Sequence, residues 1–285
     1  MAFNWKTFWT RATTALIFVA VMCIGLLWNQ WSFLILFSVI HFGCWIEYQR
    51  LVSRFVPSYS GITPFHRYGV MIAGWCFLLY FTGGAARTGN FTGGEFSLHA
   101  MGWWLGLLFL FVLPIMELLF SRSIELKNIL YSGLGLVYIS LSWGLLISLR
   151  MRHDNGFYLP LAIIFSIWIN DTMAYLVGSA IGKTPLTKIS PKKTWEGTLG
   201  GIILAVGAMA LLAHFTGFSP QQAAIIAAIS SVAGTFGDIL ESKMKRLAGV
   251  KDSGHIMPGH GGFLDRFDSL LFATPFVWLY VMAAT

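Results

Sequence analysis

The chain reads as a series of long uncharged apolar windows separated by short segments that carry nearly all of its charge. The first window covers residues 12–46. As one helix it would extend roughly 52 Å, against a hydrocarbon core of roughly 30 Å, so it must turn once. Asn29 and Gln30, between Trp28 and Trp31, supply the polar break and place both indoles at one interface. Lys6 and Arg11 precede the run as they would in a leader peptide, but no small-residue cleavage site follows, so a retained hairpin is expected. Further windows lie at 69–86, 100–116, 129–149 and 157–181, the last holding a single carboxylate, Asp171. The run 197–237 is again too long for one helix. Thr216-Gly217-Phe218-Ser219-Pro220 divides it, with Ser219 as N-cap and Pro220 as first helical residue. Residues 269–285 supply the ninth window. The pattern predicts an all-α integral membrane protein of about nine transmembrane helices, forming a single membrane domain over 1–285. Spans one to five fall in 1–149, and spans six to nine with their loops in 157–285.

Composition fits that solvent, since 56% of the residues are apolar and only 11% charged. A net charge of +7 would raise nucleic acid as a partner for a soluble protein. Here it is explained by loops, and no nucleic-acid partner is expected. With nine spans, every Lys and Arg except Arg87, Arg150 and Arg152 falls on the side of the N-terminus, which puts that end in the cytoplasm and the C-terminus outside. Cys23, Cys44 and Cys76 stand singly inside apolar runs and read as small buried residues, not as a disulfide or zinc set. The glycine-rich stretch 82–97 lies on the outer side and lacks G-K-[ST], so it reads as a connector.

The candidate chemistry concentrates late in the chain. Asp238, Glu241 and Ser242 are spaced i, i+3, i+4 and share one helix face near its cytoplasmic end. Asp265 and Asp268 are again i, i+3, where a helix N-terminus favours negative charge, and they could equally be an N-cap and a dipole partner. Hard carboxylates without thiolate or imidazole partners suit Mg²⁺, which bridges protein carboxylates and substrate phosphates. Lys192 and Lys193 offer point charges, Ser190 and Thr194 hydroxyls, and the Pro258 to Gly262 turn backbone N–H groups for a polyphosphate. Thr194 with Glu196 also fits a helix-start cap. Asp171 lies about ten residues from the cytoplasmic end, roughly 15 Å deep, where an unpaired carboxylate is costly and a functional or paired one is expected. Lys183, Lys188, Lys243 and Lys245 read as topology-setting charges. His255 and His260 read as loop hydrogen-bonders.

One segment is more specific. Ser242-Lys-Met-Lys-Arg246, then after four residues Lys251-Asp252, then His260-Gly261-Gly262-Phe-Leu-Asp265-Arg266-Phe-Asp268, resembles the signature of the CDP-diacylglycerol synthase (phosphatidate cytidylyltransferase) family at each fixed position. Met257, where the family usually carries Leu, Ile or Phe, is a mild departure. Asn170-Asp171-Thr-Met-Ala-Tyr175, the stretch from Lys188 to Gly197 and Gly237-Asp238-Ile-Leu-Glu241-Ser242 fit the same family, so the resemblance covers about 157–268. It implies that phosphatidate attacks the α-phosphorus of CTP in a site facing the cytoplasm. Asp171, Lys251, Asp252 and Arg266 would take part in catalysis, and Ser190, Lys192, Lys193, Thr194, His260, Gly261 and Gly262 would bind substrate. Asp238, Glu241, Asp265 and Asp268 would hold Mg²⁺, with a second, monovalent cation left open. The resemblance further implies the cytoplasmic membrane as location and allows a homodimer. Two other readings stay open: a CTP-dependent lipid kinase of the dolichol or phytol kinase type, which would release CDP, and an ion-coupled transporter, which would spread its carboxylates through the bundle.

Overall fold

The computed structural model describes residues 5–83, 92–93, 96–121, 125–152, 156–254 and 261–284. Among these, nine helices occupy the nine apolar windows. Helix α1 (Trp5–Leu27) and α2 (Gln30–Phe55) form the first hairpin. Their break is where the polar pair predicts it: Ser32 N–H donates to Asn29 Oδ1 (2.8 Å) and Asn29 N–H to Ser32 Oγ (3.0 Å), a reciprocal cap that starts α2. A 3₁₀ turn (Pro57–Gly61) leads to α3 (Pro64–Tyr80), a two-residue antiparallel pair (Thr92–Gly93 with Phe96–Ser97) to α4 (Leu98–Phe120), and then follow α5 (Leu126–Arg150), α6 (Tyr158–Ile181), α7 (Trp195–Thr216), α8 (Pro220–Leu247) and α9 (Leu264–Ala284). Seven of them, α2 and α4 to α9, are long and apolar enough to cross a membrane. Helix α3 has 17 residues, just short of that length, and in α1 the apolar stretch that lies unbroken among the described residues is Leu16–Leu27.

Helix ends follow local chemistry. Gly217 closes α7 at φ +74°, a left-handed conformation that a side chain would strain. Gln222 N–H then donates to Ser219 Oγ (3.4 Å), with Pro220 opening α8.

Helix α2 touches the most neighbours along the chain, packing on α1, α3, α5, α8 and α9. Phe33, Phe37, Cys44 and Trp45 of α2 and Trp143, Leu146 and Ile147 of α5 are fully buried. A π-helical turn at Leu136–Leu141 inside α5 turns Ser140 toward α2, where its Oγ accepts from Trp45 Nε1 (2.9 Å). Outward faces are apolar, as in Leu110 and Phe111 of α4 and Ile203 and Phe215 of α7. Such surfaces match lipid as the surrounding solvent. Cys44 and Cys76 are buried as expected, whereas Cys23 is exposed beside Leu16 and Ile24, because α1 packs with only part of its circumference.

The later helices meet through small residues. A Cβ added to Gly197 would lie 2.9 Å from Gly178 Cα, and one on Gly201 2.8 Å from the Asn170 carbonyl, so α6 and α7 run backbone to backbone. Gly237 does the same for α8 and α9, with the Asp268 carbonyl 2.6 Å from where its Cβ would be.

Candidate active site

The close approach at Gly237 sets up the most acidic point of the fold. Asp238 and Glu241 lie one turn apart on α8, and Asp268 sits opposite on α9. Each offers a carboxylate oxygen, and these lie within 4.8 Å of one another. Glu241 is fully buried and Asp268 nearly so. Glu241 Oε2 is paired with the ammonium of Lys245, four residues along the same helix, while Oε1 has no hydrogen-bond donor among the described residues.

Lys245 also reaches Asp265 (2.7 Å), so it ties α8 to the start of α9. The topology-setting role expected for it is therefore incomplete: its ammonium is drawn inward by two carboxylates and is largely buried. Asp265 Oδ2 accepts from Ser253 N–H (2.9 Å) and Gly262 N–H (2.8 Å) and stands 2.9 Å from Ser253 Oγ. Gly261 makes that turn at φ +87°, with Asp265 Oδ2 only 2.6 Å from where a Cβ would stand. The Gly262 N–H thus serves Asp265 here, where the sequence offered it to a phosphate.

The loop between α6 and α7 brings the opposite charge. Its two ends pair, with Leu186 N–H donating to the Lys193 carbonyl (2.7 Å) and Trp195 N–H to the Thr184 carbonyl (2.9 Å). Glu196 clasps the same loop by accepting from Lys183 N–H (3.2 Å) and Thr184 Oγ1–H (2.9 Å). With its backbone fixed on both sides, Lys193 forms an ion pair with Asp238. Thr194 is the N-cap of α7, its Oγ1 accepting from Gly197 N–H (3.1 Å), as the alternative reading of its sequence allowed. Ser190 is half-buried, and its N–H donates to Thr187 Oγ1 (3.1 Å); Lys192 is exposed.

A cavity of about 200 Å³ opens beside the carboxylates. Its polar wall holds Asp171, Asp265, Arg266 and Asp268, and its apolar wall includes Phe18 and Met22 of α1 and Trp168 of α6. Asp171 is therefore turned toward the cluster, accepting from Asn170 Nδ2 (3.4 Å). Lys251 and Asp252 are exposed, in the loop leading to Ser253. His255 and His260 lie outside the described residues.

One member of this assembly was not singled out from the sequence. Glu47 of α2 is almost fully buried, and its carboxylate accepts from Ser253 Oγ–H (2.7 Å), Phe263 N–H (2.9 Å) and Leu264 N–H (2.9 Å). It caps α9 from across the fold, a role the sequence allowed to Asp265. A lone Glu directly after the uncharged run 12–46 was the available signal.

The donor set fits a divalent cation. Four carboxylates, Asp238, Glu241, Asp265 and Asp268, face two ammoniums, Lys193 and Lys245. The imbalance and the bare Oε1 of buried Glu241 leave a place for positive charge. All these donors are hard oxygens, which suits Mg²⁺ over softer metals. With lysines on one rim and an apolar wall on the other, the arrangement can hold a metal-bound polyphosphate next to a lipid.

The chain is also similar to known proteins. A model of the cytidylyltransferase family matches residues 9–284. The phosphatidate cytidylyltransferase of Haemophilus influenzae is 33% identical over 294 residues, covering 93% of this chain and 96% of that protein. Phosphatidate cytidylyltransferase of Bacillus subtilis is 37% identical over 171 residues, 56% of this chain and 63% of its own. The chloroplastic phosphatidate cytidylyltransferase 4 of Arabidopsis thaliana is 37% identical over 145 residues, 50% of this chain and 37% of its own. The latter two matches thus span less than two thirds of those proteins. The chain is a multi-pass membrane protein that belongs to the cytidylyltransferase family.

Proposed function

We propose that the protein transfers the cytidylyl group of CTP to phosphatidate, giving CDP-diacylglycerol and pyrophosphate for phospholipid synthesis. The observation that carries this reading is the carboxylate cluster of Asp238, Glu241 and Asp268, formed where the family signature crosses from α8 to α9. A phosphate oxygen of phosphatidate forms a bond to the α-phosphorus of CTP while the bond from that phosphorus to the bridging oxygen of pyrophosphate breaks. The attacking oxygen is already anionic, so no protein base has to remove a proton, and catalysis rests on alignment and charge.

Asp238, Glu241 and Asp268 hold Mg²⁺, and Asp265 supports them through Lys245. Bound Mg²⁺ supplies neutralisation of the phosphate charge and Lewis-acid polarisation at the reacting phosphorus. Lys193 exchanges Asp238 for a phosphate oxygen of CTP, with Lys192, Ser190, Thr194, Gly261 and His260 around the same polyphosphate. Arg266 and Asp171 line the cavity where lipid and nucleotide meet, Arg266 offering a two-pronged grip on a phosphate. Lys251 and Asp252 complete the motif at its cytoplasmic rim. The sidedness of Lys and Arg supports nine spans with the N-terminus and the site in the cytoplasm of the inner cell membrane. The apolar wall of the cavity supports approach of phosphatidate from the bilayer.

The test is product identity. Purified protein is incubated with phosphatidate, Mg²⁺ and CTP labelled either in the cytosine ring or at the γ-phosphate. Ring label in the lipid phase with γ-label in free pyrophosphate supports the proposal. Label from the γ-phosphate in the lipid with CDP released would establish a lipid kinase instead, and no lipid label from either would leave a transporter.

A further inference from the structure

Most of the site is built from α6 to α9, yet the start of α9 is held by a residue from α2. The first N–H groups of a helix have no partner inside it, and they are usually met by a local Ser, Thr, Asp or Asn. At α9 the residue in the capping position is Phe263, which has no side-chain acceptor. Glu47 fills the vacancy, taking Phe263 N–H on Oε1 and Leu264 N–H on Oε2. The fit is close on every side. A Cβ on Gly254 or on Gly262 would collide with the Glu47 carboxylate, and one on Gly43, a turn earlier on the same face of α2, would collide with the Phe263 ring.

A buried carboxylate is costly unless fully hydrogen-bonded. Among the described residues no Lys or Arg pairs with Glu47, and its charge is met by N–H and O–H donors at the positive end of α9. The Ser253 hydroxyl also stands 2.9 Å from Asp265 Oδ2, which places one hydroxyl between Glu47 and a carboxylate of the site.

We propose that Glu47 is a positioning residue for the cation site: by gripping both Ser253 and the first turn of α9, it fixes Asp265 and Asp268 against Asp238 and Glu241. This rests on the reading of that cluster as the place where Mg²⁺ and CTP meet. Glu47 touches neither substrate nor metal. Its contribution is to hold α9 in register with α8, linking the first five helices to the chemistry of the last four.

The test uses the full chain with Glu47→Gln, which keeps shape but replaces one acceptor oxygen by a donor facing other donors. Three quantities are read: the melting temperature, the dissociation constant for Mn²⁺ from the electron paramagnetic resonance of the free ion, and kcat with KM for CTP. A variant that melts with the wild type but binds Mn²⁺ about 10-fold more weakly, and loses about 10–100-fold in kcat with little change in KM, supports the proposal. Wild-type Mn²⁺ affinity and wild-type kcat in a folded variant overturn it. Should Glu47→Gln fail to fold, Ser253→Ala carries the test, because it removes the hydroxyl link while Glu47 still caps α9. Mn²⁺ binding weakened about 10-fold supports the proposal and unchanged binding overturns it. In a double variant, losses no larger than the greater single loss support one shared route, and simple addition overturns it. If the wild type makes no CDP-lipid, the proposed reaction fails, while the Mn²⁺ comparison still decides the role of Glu47.

Discussion

Two regions of the molecule pack by different means. Helices α2 and α5 interlock through large side chains, with Trp45, Trp143, Phe33 and Phe37 fully buried and Phe37 at 4.9 Å from Trp143, centroid to centroid, while α3 and α4 of the same half meet backbone to backbone at Gly102. Helices α6 to α9 meet through Gly178, Gly197, Gly201 and Gly237, with the buried alanines Ala205, Ala223 and Ala227 among them. In lipid there is little hydrophobic drive for helices to associate, so contact itself must hold them. Aromatic interlock gives contact at a distance, whereas a glycine seam brings backbones together. Only the second can set the carboxylates of α8 and α9 within reach of one cation. The first half instead forms a firm wall from which α2 projects Glu47.

That contrast can be broken at several points. The largest effect is expected from Asp238→Asn or Asp268→Asn, each removing a negative ligand from the cluster: about 10²–10³-fold in kcat, measured by CDP-lipid formation in variants that melt like the wild type. Gly237→Val comes next. Its side chain meets the Asp268 carbonyl and Phe272, so it should push α9 from α8, destabilise the protein by about 1–3 kcal/mol and weaken Mn²⁺ binding together, as calorimetry and paramagnetic resonance would show. Lys193→Ala, which removes the ammonium paired with Asp238, should raise KM for CTP about 10–100-fold, the worth of a charged hydrogen bond, with little change in stability. Leu146→Ala tests the other half. It should cost about 3 kcal/mol in stability, read from denaturation, yet leave the Mg²⁺ concentration for half-maximal activity unchanged. Phe215→Leu, on an exposed face of α7, should shift stability by less than about 0.5 kcal/mol and leave activity alone.

Much of this architecture is written locally in the sequence. The hairpin break at Asn29, the Ser219-Pro220 start of α8 and the Thr194 cap of α7 each depend on residues within a few positions, and the structure forms each of them. The spacing of Asp238, Glu241, Asp265 and Asp268 likewise encodes two helix faces, though not that Gly237 would let them meet. The pairing of Lys245 with Glu241 and Asp265 was not legible, because an ammonium near a helix end satisfies the positive-inside pattern whether it points to water or to a carboxylate. Glu47 was invisible for a different reason: its partner Ser253 is 206 residues away, and no period along α2 marks that pairing.

The most direct test of the central claim, that the cluster between α8 and α9 drives cytidylyl transfer, is the rate at which ring-labelled CTP enters the lipid phase with phosphatidate and Mg²⁺, compared between the wild type and Asp268→Asn. The account predicts CDP-lipid from the wild type and a loss of about 10²-fold or more in a variant with unchanged melting. Equal rates from the two proteins would contradict it and place the chemistry elsewhere in the chain.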